Sequence, residues 1–387
     1  MRIGLIAPPW VPVPPTAYGG TEAVVDNLAR GLARLGHDVT LFTVGGSTSP
    51  VRRMQEFDAP AEPIGMSVPE AAHVLAAYKA LDGVDIVHDH TVLGPLIAGR
   101  SGFSRVPVVV TNHGPYTPVT RPLFAEMART ASLVAISHDQ AARSGLPIAA
   151  VIHHGIDLEV YRPAATHGSY LVFVGRMSPD KGVHRAVRIA HAAGRAVRLV
   201  TKMRERAEID YFESMVRPLL RDDSEMPSEL GLHERIEVVA HAAALINPIQ
   251  WPEPFGLVMA EALAAGTPVI TTPRGAAPEI VSQGRTGFFF HDDGEAVAAV
   301  GELGLIDRAE CRRAAETRFS LERMTADHVA LYERILDRST RRTRRAAVVS
   351  LARPHSREVV SVGRARVAAA AHTDGVRPEA VVPETVD

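Results

Sequence analysis

The chain has 387 residues, 46% of them hydrophobic and 22% charged, with a net charge of −2. This length holds two domains and a tail, and the composition is that of an ordinary soluble globular protein. From Arg338 onward ten arginines meet five acidic residues, a net of +5 that leaves −7 on the rest, and a mildly acidic body argues against nucleic-acid binding. The single cysteine, Cys311, cannot close an internal disulfide and fits a reducing compartment, and the scattered histidines have no Cys pair to join in a structural zinc site. The apolar run before the first prolines is too short for a signal peptide, and no run approaches the roughly 18 apolar residues of a membrane span. The expectation is a cytoplasmic protein, peripheral at the inner membrane surface at most.

In chain order, Ile3 to Ala7 predicts a strand, Pro8 to Pro15 a loop, and Tyr18-Gly19-Gly20-Thr21-Glu22 the mouth of a helix capped by Thr21. Val24, Val25, Leu28, Leu32 and Leu35 recur at helical spacing, and Val39 to Val44 predicts a second strand. This strand, glycine loop, helix, strand order begins an α/β domain. Gly19 and Gly20 read either as a flexible turn or as a place where backbone N–H groups approach a phosphate. Pro69 to Leu81 predicts a helix with Ala71, Val74, Leu75 and Tyr78 inward. Strands are predicted at Asp85 to His88, Val106 to Thr111, Leu133 to Ile136 and Ala149 to Ile152. His88-Asp89-His90 invites a metal reading, but a His-x-His pair with no third ligand is more often structural. His113 follows a strand end, where ligands bind in open α/β sheets. A hinge is predicted between Asp157 and His167.

A second α/β unit starts at Tyr170. Leu171 to Val174 is a predicted strand, and the glycine-bounded loop Gly175 to Gly182 leads into a helix. Arg176 and Lys181 put two cations beside that helix start, which itself favours anions. Val197 to Thr201 predicts a strand, Arg204 to Leu220 a helix, Glu237 to Ala244 an Ala-rich helix and Leu245 to Pro248 a strand. Next comes WPEPFGLVMAEALAAGTPVIT, Trp251 to Thr271, read as a loop bearing Glu253, Pro254 at a first helical position, a helix over Phe255 to Ala265, a left-handed cap at Gly266 and a buried strand. If both were helical, Glu253 and Glu261 would stand about 12 Å apart along the axis. That exceeds the roughly 5 Å of a retaining glycosidase pair and suits hydroxyl-rich groups at two ends of one ligand. The structural alternative makes Glu253 a helix cap and Glu261 a solvated face. Further on, Gly287 to Phe290 predicts a strand, and helices are predicted near Glu295 to Leu303, Arg308 to Arg318 and Leu321 to Leu336.

The stretch around Glu253 and Glu261 resembles the E-x7-E signature of the family 4 retaining glycosyltransferases, as do the Arg176–Lys181 loop and HHGIDLEVYRP. The resemblance implies a GT-B fold: α/β, two Rossmann-like domains with parallel sheets facing across a cleft. It implies an acceptor-side domain at 1–160, a donor domain at 168–320 and a helix at 321–337 returning to the first domain. The basic tail at 338–387 has no aromatic residue and little to bury, so it is expected to be disordered. The resemblance implies a hexosyltransferase-type enzyme without a cofactor, and the lack of an acidic triad at a strand end suits a metal-independent site. Such an enzyme moves sugar from a nucleotide diphosphate sugar to a hydroxyl acceptor, whether small molecule, lipid-linked or polysaccharide. In that family's pattern Arg176 and Lys181 hold the diphosphate, Gly19 and Gly20 face it, Glu253 contacts sugar hydroxyls and Glu261 the ribose. The backbone N–H groups of Phe255, Gly256 and Leu257 would help hold the sugar. His113 would face the reacting sugar, orienting it or assisting proton movement near neutral pH. The polar segment Arg221 to Glu229 departs from the family, which shows a short apolar strand there. A catalytically silent nucleotide-sugar binder and a GT-B epimerase or phosphorylase are the competing expectations. For the Arg-rich tail, weak contact with anionic lipid competes with simple solvation.

Overall fold

The computed structural model of the chain describes residues 1–17, 19–101, 106–221 and 227–351. Met1–Arg341 form one compact unit and Arg342–Asp387 another, and both sheets lie in the first. The first sheet has seven parallel strands: β1 (Arg2–Ile6), β2 (Asp38–Thr43), β3 (Arg52–Gln55), β4 (Ile86–Asp89), β5 (Val108–Thr111), β6 (Ser132–Ala135) and β7 (Ile148–Val151). Between them run α1 (Gly20–Arg34), α2 (Ser67–Ala80), α3 (Gly94–Ser101), α4 (Thr120–Met127) and α5 (His138–Ser144). The spatial order is β3-β2-β1-β4-β5-β6-β7, so the winding reverses between β1 and β4.

The second sheet has five parallel strands in the order β12-β11-β10-β8-β9. They are β8 (Leu171–Arg176), β9 (Val197–Lys202), β10 (Ala244–Asn247), β11 (Val269–Thr271) and β12 (Gly287–Phe289). With them come α6 (Val183–Ala192), α7 (Arg206–Tyr211), α8 (Leu232–Ala240), α9 (Leu257–Ala264), α10 (Ala277–Ile280), α11 (Asp293–Gly301), α12 (Arg308–Arg318) and α13 (Leu321–Leu351). This sheet reverses between β8 and β10. In open α/β sheets the crevice at such a reversal, past the carboxyl ends of the strands, is where ligands bind. The central strands β1, β5, β8 and β10 are largely apolar runs because helices cover both faces, and β4 ends in the buried polar pair His88 and Asp89.

The last helix returns to the first sheet. Met324, Leu331 and Tyr332 pack in one core with Ile3, Leu5, Val25 and Leu28, and the Tyr332 hydroxyl lies 2.7 Å from His88 Nδ1. Beneath it the interdomain segments are joined by backbone: Ile156 N–H donates to Phe319 O at 2.7 Å and Leu321 N–H to Ile156 O at 3.0 Å. Among the described residues no helix is long and apolar enough to cross a membrane.

Several local expectations are corrected. Helix α1 begins at Gly20, with Gly19 in the cap position, so Thr21 lies inside it and caps nothing. Leu35 ends that helix and is 55% exposed. In α2 it is His73, bonded to Ala7 O at 2.9 Å, that is fully buried beside Val74 and Tyr78, while Ala71 and Leu75 are half-buried. The helix expected over 204–220 breaks after Tyr211 into a π turn, Phe212–Val216, and a 3₁₀ turn, Arg217–Leu219. Pro218 lacks an N–H and its ring crowds the carbonyl four residues back, which forces the wider turn. Helix α8 starts five residues before Glu237 and ends at Ala240, because Ala244 opens β10. Helix α9 starts at Leu257, since Gly256 sits at φ 87°, outside the helical region, and Pro254 stays in the loop. Helix α13 runs on to Leu351, past the expected end near Leu336, through Arg- and Ala-rich sequence of high helix propensity. The remainder of the expected tail, 352–387, lies outside the described residues, as do Tyr18 and 222–226.

Helices α1 and α13 meet at Gly31, where an added Cβ would stand 2.1 Å from Thr325 Oγ1 and 2.9 Å from Leu321 Cδ2. Gly31→Ala is expected to lower stability by about 1–3 kcal/mol through this overpacking, despite the better helix propensity of alanine. The double variant with Thr325→Ala should recover much of that loss. Urea melts of the two singles and the double measure the coupling, and strict additivity would contradict the contact.

Candidate active site

The first cavity, about 260 Å³, opens between the carboxyl ends of the two sheets. From the second sheet, Arg176 ends β8 and Lys181 ends the 3₁₀ turn Pro179–Lys181 ahead of α6. Glu253 and Glu261 come from the loop after β10 and from α9. All four line the cavity with Gly256 and Leu257, and Gly19 and Gly20 at the start of α1 line it from the first domain. Phe255 lines not this cavity but an adjoining one that shares Glu253, Gly256 and Leu257 with it; the residue is 2% exposed and its ring lies 4.9 Å from that of His154.

Lys181 Nζ forms an ion pair with Glu253 Oε2, and the ammonium also sits 5.4 Å from the centre of the Trp251 ring. The loop bearing Glu253 is held by its backbone: Ala276 N–H donates to Glu253 O at 2.9 Å and the Ser137 hydroxyl to Pro254 O at 2.6 Å. Gly275 makes this possible. Its φ is 59°, and a Cβ there would fall 2.3 Å from Glu253 O. Arg176 is only loosely paired, 3.5 Å from Asp180 Oδ2, with over a third of its side chain exposed. Glu261 Oε1 accepts from the Tyr161 hydroxyl at 2.5 Å and from Arg235 at 3.3 Å. Burial and the adjacent carboxylate push the Tyr161 hydroxyl well above its ordinary pKa, and Glu261 raises that of Arg235.

Three cations on this cavity carry no local signal in the sequence. Lys202 ends β9 opposite Arg176 and is held by Glu205 at 2.6 Å and Glu208 at 3.1 Å. Arg235 lies on α8, and Arg30 on α1 binds Asp26, Asn27 and Asp157. The segment Arg221 to Glu229 does supply one strand-like residue: Ser228 bridges Val200, and Glu229 and Leu230 line the cavity.

His113 does not line this cavity but a second one next to it. It belongs to a run of imidazoles. His90 Nδ1 and His113 Nε2 are 2.9 Å apart, and ring centres step from His328 to His88, His90, His113 and His154 at 5.2, 4.1, 5.1 and 5.1 Å. Burial lowers the pKa of His113 to about 3. The ring is therefore neutral near pH 7 and can orient a partner by a hydrogen bond. His88 bonds Tyr332 and Thr111. His88 and His90 are buried in the packed interior. Among the described residues no group of three or more His, Cys, Asp or Glu could hold a metal ion.

The sequence model described as Glycosyltransferase Family 4 matches residues 18–160, and that described as Glycosyl transferases group 1 matches 162–317. The chain belongs to the GT-B glycosyltransferases. The enzyme is similar to the D-inositol 3-phosphate glycosyltransferase of Mycobacterium tuberculosis, at 25% identity over 90% of this chain and 84% of the relative. Among solved structures it resembles AviGT4, a glycosyltransferase involved in avilamycin A biosynthesis, with a TM-score of 0.69 and 29% identity over 87% of this chain and 98% of that one. Sucrose-phosphate synthase from Thermosynechococcus elongatus (TM-score 0.74, 20% identity, 87% and 99% coverage) and Anabaena Alr3699/HepE in complex with UDP and glucose (0.68, 17%, 85% and 98%) share the fold.

The buried imidazoles predict how the enzyme responds to acid. Burial lowers His73 and His328 to about 4 and His113 to about 3, and His88, His90 and His154 fall well below 6.5. A depressed imidazole pKa gives stability that is present above about 6.5 and lost as pH falls, because the unfolded chain binds those protons first. Glu22, raised to about 7, and Asp89, raised to about 6, act in the opposite direction. Six groups outweigh two, so the unfolding free energy from urea melts should fall between pH 7 and pH 5 by at least about 1 kcal/mol per pH unit, and the midpoint with it. A midpoint constant over that interval would count against neutral buried imidazoles.

Proposed function

We propose that the enzyme moves a hexose-type sugar from a nucleotide diphosphate sugar to a hydroxyl acceptor, with retention at the anomeric carbon and without a divalent cation. The observation that carries this reading is a single cavity bounded by Arg176, Lys181, Glu253 and Glu261 on one side and the glycine mouth of α1 on the other. Departure of a nucleoside diphosphate develops negative charge, which Arg176, Lys181 and the N-terminal N–H groups of α1 can stabilise in place of a metal. Without substrate, Glu253 is the partner of Lys181. On binding, the ammonium would be shared with phosphate oxygens while the carboxylate accepts from sugar hydroxyls. Glu261, held at one oxygen by Tyr161 and Arg235, would take the ribose hydroxyls. Retention rests on the family resemblance of the E-x7-E stretch. A cytoplasmic setting suits this donor class and the lone reduced thiol.

Lys181→Ala and Glu253→Ala should each lower kcat/KM by roughly 10²–10³ while the circular dichroism spectrum stays native. Near-wild-type turnover in both would defeat the assignment. Donor use is found first by a thermal-shift screen of nucleotide sugars, since ligand at 100 times its Kd adds about 2.7 kcal/mol. Turnover should survive EDTA, and NMR of the product should show the donor's anomeric configuration; loss with chelator or an inverted product each contradicts its part of the proposal. Tyr161→Phe leaves Glu261 one bond short and should raise the donor KM about tenfold, measured at saturating acceptor.

A further inference from the structure

The second cavity, about 350 Å³, shares Gly19, Gly20, Glu253, Gly256 and Leu257 with the first and extends to Trp10, Glu22 and His113. The two differ in charged lining. Arg30, Arg176, Lys181, Lys202 and Arg235 line the first, together with the carboxylates Asp26, Asp157, Glu229, Glu253 and Glu261. Among the described residues lining the second there is neither lysine nor arginine, and its charged residues are Glu22 and Glu253. Its two imidazoles, His113 and His154, are neutral near pH 7. Glu22 is 5% exposed, forms no ion pair among the described residues, and reaches toward the mouth of α1, with Oε2 3.1 Å from where a Gly19 Cβ would stand. Half-buried Trp10 adds an aromatic wall with an apolar face.

We infer that this cavity is the acceptor subsite and that it selects an uncharged polyhydroxy ring, a sugar or cyclitol, over a phosphate monoester of the same ring. This rests on the donor reading above, because the shared residues Glu253 and Gly256 are where the transferred sugar would lie. Carboxylates and neutral imidazoles accept from or donate to hydroxyls, and the indole face covers the C–H side of a ring. A phosphate dianion entering here would lose hydration beside Glu22 with no lysine or arginine among the lining residues to receive it, Lys181 being engaged by Glu253 from the first cavity, an arrangement that disfavours it.

The test uses the full chain, a nucleotide sugar that it turns over, and matched acceptor pairs such as glucose with glucose 6-phosphate and myo-inositol with its monophosphate. Nucleotide release should be stimulated by the neutral member with kcat/KM roughly 100-fold above its phosphate, a difference of about 2.7 kcal/mol. Glu22→Gln should narrow that ratio about tenfold, whereas a merely structural role would lower both members alike. Val11→Lys, which puts a cation on the wall without touching Glu22, should narrow it as well. Trp10→Ala should raise the acceptor KM about tenfold with kcat nearly constant. Equal or better use of the phosphorylated member, with donor turnover intact, overturns this inference and leaves the transferase reading standing. If no nucleotide sugar binds or is turned over, both fail together.

Discussion

The Lys181–Glu253 ion pair is the contact on which the rest of the site depends. It joins the loop after β8 to the loop after β10, the two strands between which the second sheet reverses its winding. Both side chains are about one-sixth exposed, so each charge has lost much of its hydration and is compensated by the other. A pair of this kind contributes little net stability compared with apolar residues of the same size. Its value is positional. It keeps an ammonium and a carboxylate at a fixed place in a crevice whose other wall comes from the glycine mouth of α1.

The supports of the pair lie far away in sequence, which explains what the sequence alone could and could not reveal. Arg176, Lys181, Glu253 and Glu261 sit in short contiguous motifs, each beside a strand end, and their convergence follows from parallel sheets placing all carboxyl ends on one side. Tyr161 and Arg235 reach Glu261 from 100 and 26 residues away, and Arg30 reaches Asp157 from 127 away. Nothing local marks such partners. The same holds for the imidazole run, which β4, the loops after β5 and β7, and α13 assemble from four separate segments. Buried strands were legible because their apolar runs are continuous. β3 was not, since it is a polar, mostly exposed edge, and α3, α4 and α5 are too short to display a helical period. Helix starts were misread where glycine holds the first turn, at Gly20 and Gly256, because a missing side-chain cap leaves no letter to recognise.

The two domains are connected by more than a linker. Ile156 is bonded on both sides to the backbone around Ser320, and a Cβ at Gly155 would fall 2.8 Å from Ser320 O. Helix α13 then buries Tyr332 in the first domain's core against His88. Any opening of the cleft has to bend these paired segments together, because neither can extend without breaking the Ile156 bonds. That favours a hinge at the pair itself over free swinging of the lobes. The bonds across the gap fit such a hinge: Ser137 to Pro254 and His153 to Glu279 join the domains by a few polar contacts beside it.

Charge completes the division of labour within the cleft. The lining cations all gather in the cavity where a diphosphate would leave, among carboxylates, and the cavity where acceptor hydroxyl groups would sit has carboxylates alone. Glu253 lines both cavities, so it stands at the junction of the cavity that holds the cations and the cavity that holds none. A sugar at that junction would have its leaving group drawn toward Lys181 and its ring, which gains positive character as the bond stretches, beside a carboxylate. Both effects act in the same direction along the breaking bond and both strengthen as charge develops, which is the condition for lowering a barrier rather than merely tightening a complex. Neutral imidazoles suit the remaining wall, since an imidazolium next to that ring would oppose the same separation of charge. Their low-polarity surroundings keep His113 and His154 uncharged beside the cavity they line.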